Sequence, residues 1–246
     1  MSKSALHLFG IFLMGLGMLG SGIIKNKVLG MNVVSSDELL SILDMQGGMT
    51  AAACALIFEA LESCAVPIFA LLMVEGFLHT KSFKHYLMRV LMVALVSEIP
   101  YNMVTSGKLI ATATRNPVFG IVLSLIVLYL YKYYEGNSFK NVVCKLLVCM
   151  ASALWALMFG VAYGIVFLLT VNILWFFKSR PSIRIFLAAA ALVCCSVTNP
   201  LYMFSPFGFL AAYLYNEEEG KKRGKLSYMI YPILLSMTVL AGYLLF

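Results

Sequence analysis

Charge is what this chain has least of. Asp, Glu, Lys and Arg make up 12% of its 246 residues, while 62% are apolar. A soluble domain is roughly a quarter charged, so these residues cannot cover a water-facing surface; mean hydropathy is +0.93. Also missing is the polar–apolar alternation over about ten residues that marks membrane β-strands. The apolar runs are long and unbroken, so the backbone polar groups must be satisfied inside helices. There is no CxxC pair. Cys54, Cys64, Cys144, Cys149, Cys194 and Cys195 all lie within apolar runs, where a thiol acts as a small hydrophobe. This excludes a zinc site and a disulfide framework from the reading. No HExxH, GxSxG or Walker pattern occurs, and no metal is expected.

What remains is an all-α, polytopic transmembrane helical bundle, read as a single domain over residues 1–246. A helix crossing the hydrocarbon core needs about 20 apolar residues. The candidate spans are 6–24, 50–77, 84–105, 117–134, 139–157, 159–177, 183–201, 203–216 and 226–246. The stretch from Leu146 to Phe177 carries no charge and is too long for one upright span, so a tight turn is expected near Met158–Gly160. The segment 203–216, bracketed by Asn199-Pro200 and Ser205-Pro206, is short for a crossing and reads as a half-helix or a broken continuation of its neighbour. The first run is read as an uncleaved span rather than a signal peptide. After it comes an outer loop, 25–48, in which Ser35-Ser36-Asp37-Glu38-Leu39-Leu40 reads as an N-capped short helix.

The net charge of +7 comes without a basic domain, so no nucleic-acid partner is expected; the expected surroundings are membrane lipids. With nine spans and a cytoplasmic N-terminus, all of the eighteen Lys and Arg except Lys25, Lys27, Lys108 and Arg115 fall on the inner side. Eight spans would place the 221–225 cluster outside, so nine fit the positive-inside rule better. Gly15-Leu16-Gly17-Met18-Leu19-Gly20 matches GxGxxG but sits inside an apolar span, where small residues admit a neighbouring helix. Gly160 and Gly164 are a second such face.

Ionisable residues at membrane depth usually face the bundle interior and often mark function. Span two carries Glu59, Glu62 and Glu75; span three carries Arg89 and Glu98. Glu62 lies about 18–20 Å below the outer end of its span and shares a helix face with Glu59. Glu75 and Arg89 stand near the cytoplasmic side of consecutive antiparallel spans, placed to pair. His79 and His85 lie in the turn between them, and His7 is interfacial.

Pro67-Ile68-Phe69-Ala70, Val74-Glu75-Gly76-Phe77-Leu78-His79-Thr80, Tyr86-Leu87-Met88-Arg89 and Ser97-Glu98-Ile99-Pro100-Tyr101-Asn102 follow one another in that order. This series resembles the TraX family of membrane proteins, and the similarity runs on through Asn116 to Gly120, Tyr163-Gly164, Tyr215-Asn216 and Tyr231-Pro232. The resemblance implies a bacterial inner-membrane protein linked to N-terminal acetylation of pilin subunits. Acetyl-CoA would then be the co-substrate, and a pilin-like protein or small amine the acceptor. It points to Glu75, His79, Arg89 and Glu98 as catalytic residues. Glu98 or Glu75 would accept the proton, and Arg89 would be its electrostatic partner or a CoA-phosphate contact. Asn102, Arg115 and Asn116 would form a polar outer rim for substrate. The chain departs from the family at the Asp-His pair of span one, where it has Gly17 and Met18, and at a C-terminal YPxH, where it reads Tyr231-Pro232-Ile233-Leu234. Two other classes therefore stand beside the acyltransferase: a proton-coupled transporter with a Glu59, Glu62 and Glu98 relay, and a non-catalytic membrane scaffold.

Overall fold

The computed structural model describes residues 2–30, 41–112, 114–136, 138–215 and 228–245. The Ser35–Leu40 helix, Asn216 and the 221–225 basic cluster lie outside the described residues. Helix α1 (Lys3–Met18) is capped by Ser2, whose hydroxyl accepts from the Ala5 amide at 3.4 Å. It runs on without a break as a π-helix, Leu19–Val28. After the outer loop come α2 (Gly48–Ser63) and α3 (Ala65–His79), nearly collinear but broken at Cys64. Pro67 explains the break. It has no N–H to offer the Ser63 carbonyl, and its ring crowds that carbonyl. Helix α4 (Phe83–Ser106) ends at Gly107 in the left-handed conformation, φ 66°.

Three following helices are short: α5 (Val118–Tyr133), α7 (Gly164–Phe176) and α8 (Pro181–Cys195), with the longer α6 (Phe139–Met158) between the first two. At 1.5 Å per residue, thirteen to sixteen residues reach only about 20–24 Å, less than the ~30 Å hydrocarbon core. By length and composition, four helical stretches among the described residues are long and apolar enough to cross a membrane, namely Lys3–Val28, Gly48–His79, Phe83–Ser106 and Phe139–Met158. Helices α5 and α7 start at a shared depth. There the turns 107–117 and 159–163 clasp each other through Arg115 N–H to Gly160 O (2.8 Å) and Ala162 N–H to Arg115 O (2.9 Å). The turn expected near Met158–Gly160 is present, and Gly160 makes it with φ 59°.

The segment read as a half-helix begins earlier than expected. It is a 3-10 helix, Pro200–Phe207, followed by α9 (Gly208–Tyr213). Asn199 caps it, accepting from Leu201 N–H at 3.0 Å. Its carbonyls meet the α2–α3 break. Ser63 Oγ donates to Leu201 O at 3.1 Å and Cys64 Sγ to Phe204 O at 3.1 Å. The segment then turns back, so that the Tyr215 hydroxyl reaches Glu75 Oε2 at 3.0 Å. A broken helix at membrane depth needs such buried partners for its freed carbonyls.

Helix α10 (Ile230–Leu245) runs parallel to α1 and α4. Tyr228, just before it, bonds Arg89 near the start of α4, while Tyr243 near its end lies 4.6 Å from Lys27 Nζ. One rim of the bundle thus carries Lys3, His79, Lys84 and Arg89, and the opposite rim carries Lys25 and Lys27. Helices α3 and α7 fill the centre, with Ile68, Ala70, Val74, Val171 and Leu174 almost fully buried. The side of α6 bearing Leu146, Leu147, Met150, Leu154 and Met158 is exposed, as expected where lipid is the solvent. The glycines of the first span are packing residues, as read from the sequence. Gly15 meets Leu234 of α10, and Gly20 meets Ala55 and Phe58 of α2.

Candidate functional site: a cavity between the basic rim and Glu62

Helices α1, α2, α3, α4, α5, α7 and α10 line a cavity of about 560 Å³. His79 and Glu62 both line it, so at 1.5 Å per residue along α2–α3 it extends roughly 25 Å. Its mouth lies at the basic rim, with Lys3, His7, His79, Arg89 and Tyr228. Arg89 is held in place there: Nε donates to His85 O (3.1 Å), Nη1 donates to the Tyr228 hydroxyl (3.2 Å), and the guanidinium lies 5.3 Å from that ring's centre. His79 Nδ1 is 2.9 Å from Glu75 O. The walls beyond are apolar, with Ile11, Met14, Val66, Phe69, Met73 and Phe167.

Glu62, Tyr163 and Tyr231 form the deep end. The Glu62 carboxyl lies against the backbone of Gly17, and a Cβ at that position would overlap it. Tyr163 lines the cavity beside Glu62, and its ring is 5.6 Å from that of Tyr202. Tyr163 is the one non-glycine residue with positive φ (57°) among the described residues, a conformation that costs an L-residue roughly 1–2 kcal/mol. Such strain gathers where a site needs a side chain aimed. Tyr231 is 7% exposed, and its hydroxyl has no hydrogen-bond partner among the described residues.

The residues singled out in the sequence do not converge on one point. Arg89 and His79 line the mouth; Glu75 and Glu98 do not line the cavity. Glu75 accepts from Tyr215 rather than pairing with Arg89, and the ion pairs among the described residues are Lys25–Glu59 (3.3 Å) and Arg115–Glu98 (3.0 Å). Glu98 also accepts from the Asn116 amide at 3.2 Å. Asn116 Nδ2 donates to Ala94 O (2.9 Å) and Ser97 Oγ (3.0 Å), while its Oδ1 caps Val118 N–H at 2.7 Å. Asn102 is buried and donates to Leu109 O at 3.4 Å. Glu98, Asn102, Arg115 and Asn116 therefore tie the 107–117 segment to α4, which sets Pro117 and Val118 in the cavity wall. Glu98→Gln and Arg115→Ala are each expected to lower the unfolding temperature in detergent. A coupling of roughly 0.5–3 kcal/mol in the double-mutant cycle would mark one shared brace.

Sequence reasoning placed Glu62 at depth but grouped it with Glu59. The structure separates the two, Glu59 to Lys25 and Glu62 to the cavity. Tyr163 and Tyr231 were weak family matches, and nothing in the linear sequence brings them together. No cluster of three potential metal ligands occurs among the described residues.

These features define a polytopic helical membrane protein with a cavity leading from a basic rim to a carboxylate at depth. The chain belongs to the TraX family: the family model, described as TraX protein, matches residues 33–242. The match starts after α1, so Gly17 and Met18 lie outside it. No curated protein and no solved structure matches the chain.

Proposed function

We propose that this protein is a membrane-bound acyltransferase that takes an acetyl or similar acyl group from a CoA thioester at the basic rim and passes it to an amine. The observation that carries this reading is the cavity itself, which joins cationic side chains at its mouth to a carboxylate at its deep end. On this reading the basic rim faces the cytoplasm of a bacterial inner membrane, in keeping with the positive-inside rule. A pilin-like chain or a small amine would be the acceptor.

The chemistry follows the geometry. Lys3 and Arg89 can hold the CoA phosphates by charge-assisted hydrogen bonds, and the apolar walls suit the CoA arm and its acyl group. Glu62 is the candidate proton acceptor, on the wall of the cavity away from the basic rim. One of the two departures from the family pattern borders on this deep end, because Gly17 lies against the Glu62 carboxyl; at the other, Leu234 packs against Gly15 of α1. A carboxylate thus stands next to the position where the family resemblance sets an acid–histidine pair, supplied by α2 instead of α1. The relay reading is less well supported, because Glu59 and Glu98 are occupied by Lys25 and Arg115.

The test is binding and transfer of labelled acetyl-CoA by the purified protein. The Lys3→Ala/Arg89→Ala double variant is expected to weaken acetyl-CoA binding about tenfold or more, equivalent to the loss of one or two charge-assisted contacts. Its kcat at saturation should hold. No acetyl-CoA binding by the folded wild-type protein would overturn the reading.

A further inference from the structure

We infer that the deep end of the cavity is a subsite for an acyl carbonyl, in which Tyr231 donates a hydrogen bond to the carbonyl oxygen opposite Glu62. This rests on the acyl-transfer reading and assigns a role to a residue that reading leaves unused. Buried tyrosine hydroxyls normally find a partner, and one left without destabilises the fold. Tyr131, for example, donates to Asn172 Oδ1 at 2.6 Å. The Tyr231 hydroxyl, by contrast, has no partner among the described residues although its residue is only 7% exposed and lines the cavity. Tyr163, the other deep hydroxyl on the cavity wall, is not left buried without a partner in this way. Tyr231 is the donor left over.

Its position is also fixed. Leu234, one turn further along α10, packs against Gly15 of α1, and Tyr228 below is bonded to Arg89. A donor held this way needs no reorganisation when charge develops on an oxygen beside it. The base comes from α2 and the donor from α10, on different walls of one cavity, which leaves room for the reacting group between them.

The neutral amine nitrogen attacks the thioester carbonyl carbon, a C–N bond forms, and the carbonyl π electrons move onto the oxygen held by Tyr231. The amine proton passes to the Glu62 carboxylate. The C–S bond then breaks, the thiolate takes that proton from Glu62, and amide and free thiol result. Tyr231 keeps its own proton throughout.

The deciding variant is Tyr231→Phe, read three ways. Its kcat for acetyl transfer should fall about 100-fold, with the KM for acetyl-CoA unchanged, since the bond matters most in the transition state. Its unfolding temperature should hold or rise, because an unpartnered buried hydroxyl has been removed. The third readout does not depend on turnover: acetamide labelled with 13C at the carbonyl, a probe of the subsite, should show a bound-state shift with wild type that Tyr231→Phe abolishes. Loss of activity matched by loss of folded protein would make Tyr231 a wall residue and overturn the proposal. So would an acetamide shift that is absent from wild type or the same in both proteins. If wild type binds acetyl-CoA but transfers nothing, the transfer reading fails by itself, and the acetamide shift still decides the subsite.

Discussion

Glu62→Gln is expected to cut acetyl transfer about 10²–10⁴-fold, the usual worth of a positioned general base, while acetyl-CoA binding at the rim persists. The substitution keeps the side chain's size, so the contact with Gly17 and the cavity's outline should remain. It removes the proton acceptor alone. The rim residues lie roughly 25 Å away along α2–α3, too far for this change to disturb their contacts, so binding and turnover should separate cleanly. Single-turnover kinetics with labelled acetyl-CoA would measure both. Full activity in this variant would leave no role for the deep carboxylate and would favour the scaffold reading.

Gly208→Val should have the largest effect on the fold. A Cβ at Gly208 would overlap the carbonyl oxygen of Cys64 and come within 2.7 Å of Pro67 Cγ. Neither can swing aside: one is backbone, the other a proline ring in a packed helix. Overpacking of this kind costs typically about 1–3 kcal/mol or more. The damage should spread, because α9 seated on Cys64 also positions the 3-10 carbonyls and brings Tyr215 to Glu75. A lower unfolding temperature and faster proteolysis within 196–215 are the expected results. Wild-type stability would show that α9 can rest elsewhere.

Much of the architecture is legible in the sequence. Long apolar runs between isolated cations sufficed for the helices, and the charge-free stretch after Leu146 required the turn found at Phe159 and Gly160. The glycines of the first span read correctly as packing residues, because a soluble nucleotide fold had no strand to support it. The half-helix was harder. Pro200 and Pro206 announced a break, but its start at Pro200 depends on Ser63 and Cys64, far away in the sequence, which satisfy its carbonyls.

The candidate site was only partly visible. Helical spacing put Glu59 and Glu62 on one face, yet a hundred-degree step per residue still lets neighbours three apart face different helices. Lys25 claims Glu59, and the cavity receives Glu62. Glu98 and Arg115 looked functional because charge at membrane depth is costly. Their mutual bond, with Asn116, offsets that cost by tying a loop to a helix.

Composition and the order of apolar runs determined that this is a helical membrane bundle, because they depend on the solvent, which acts on every residue alike. The motif series around Glu75 and Glu98 determined the family. Which acid faces the cavity, which is neutralised by a cation and which hydroxyl is left without a partner were decided by tertiary structure alone. Those outcomes turn on ångström-scale contacts between segments as distant as Gly17, Glu62, Tyr163 and Tyr231, and no local pattern in the chain encodes them.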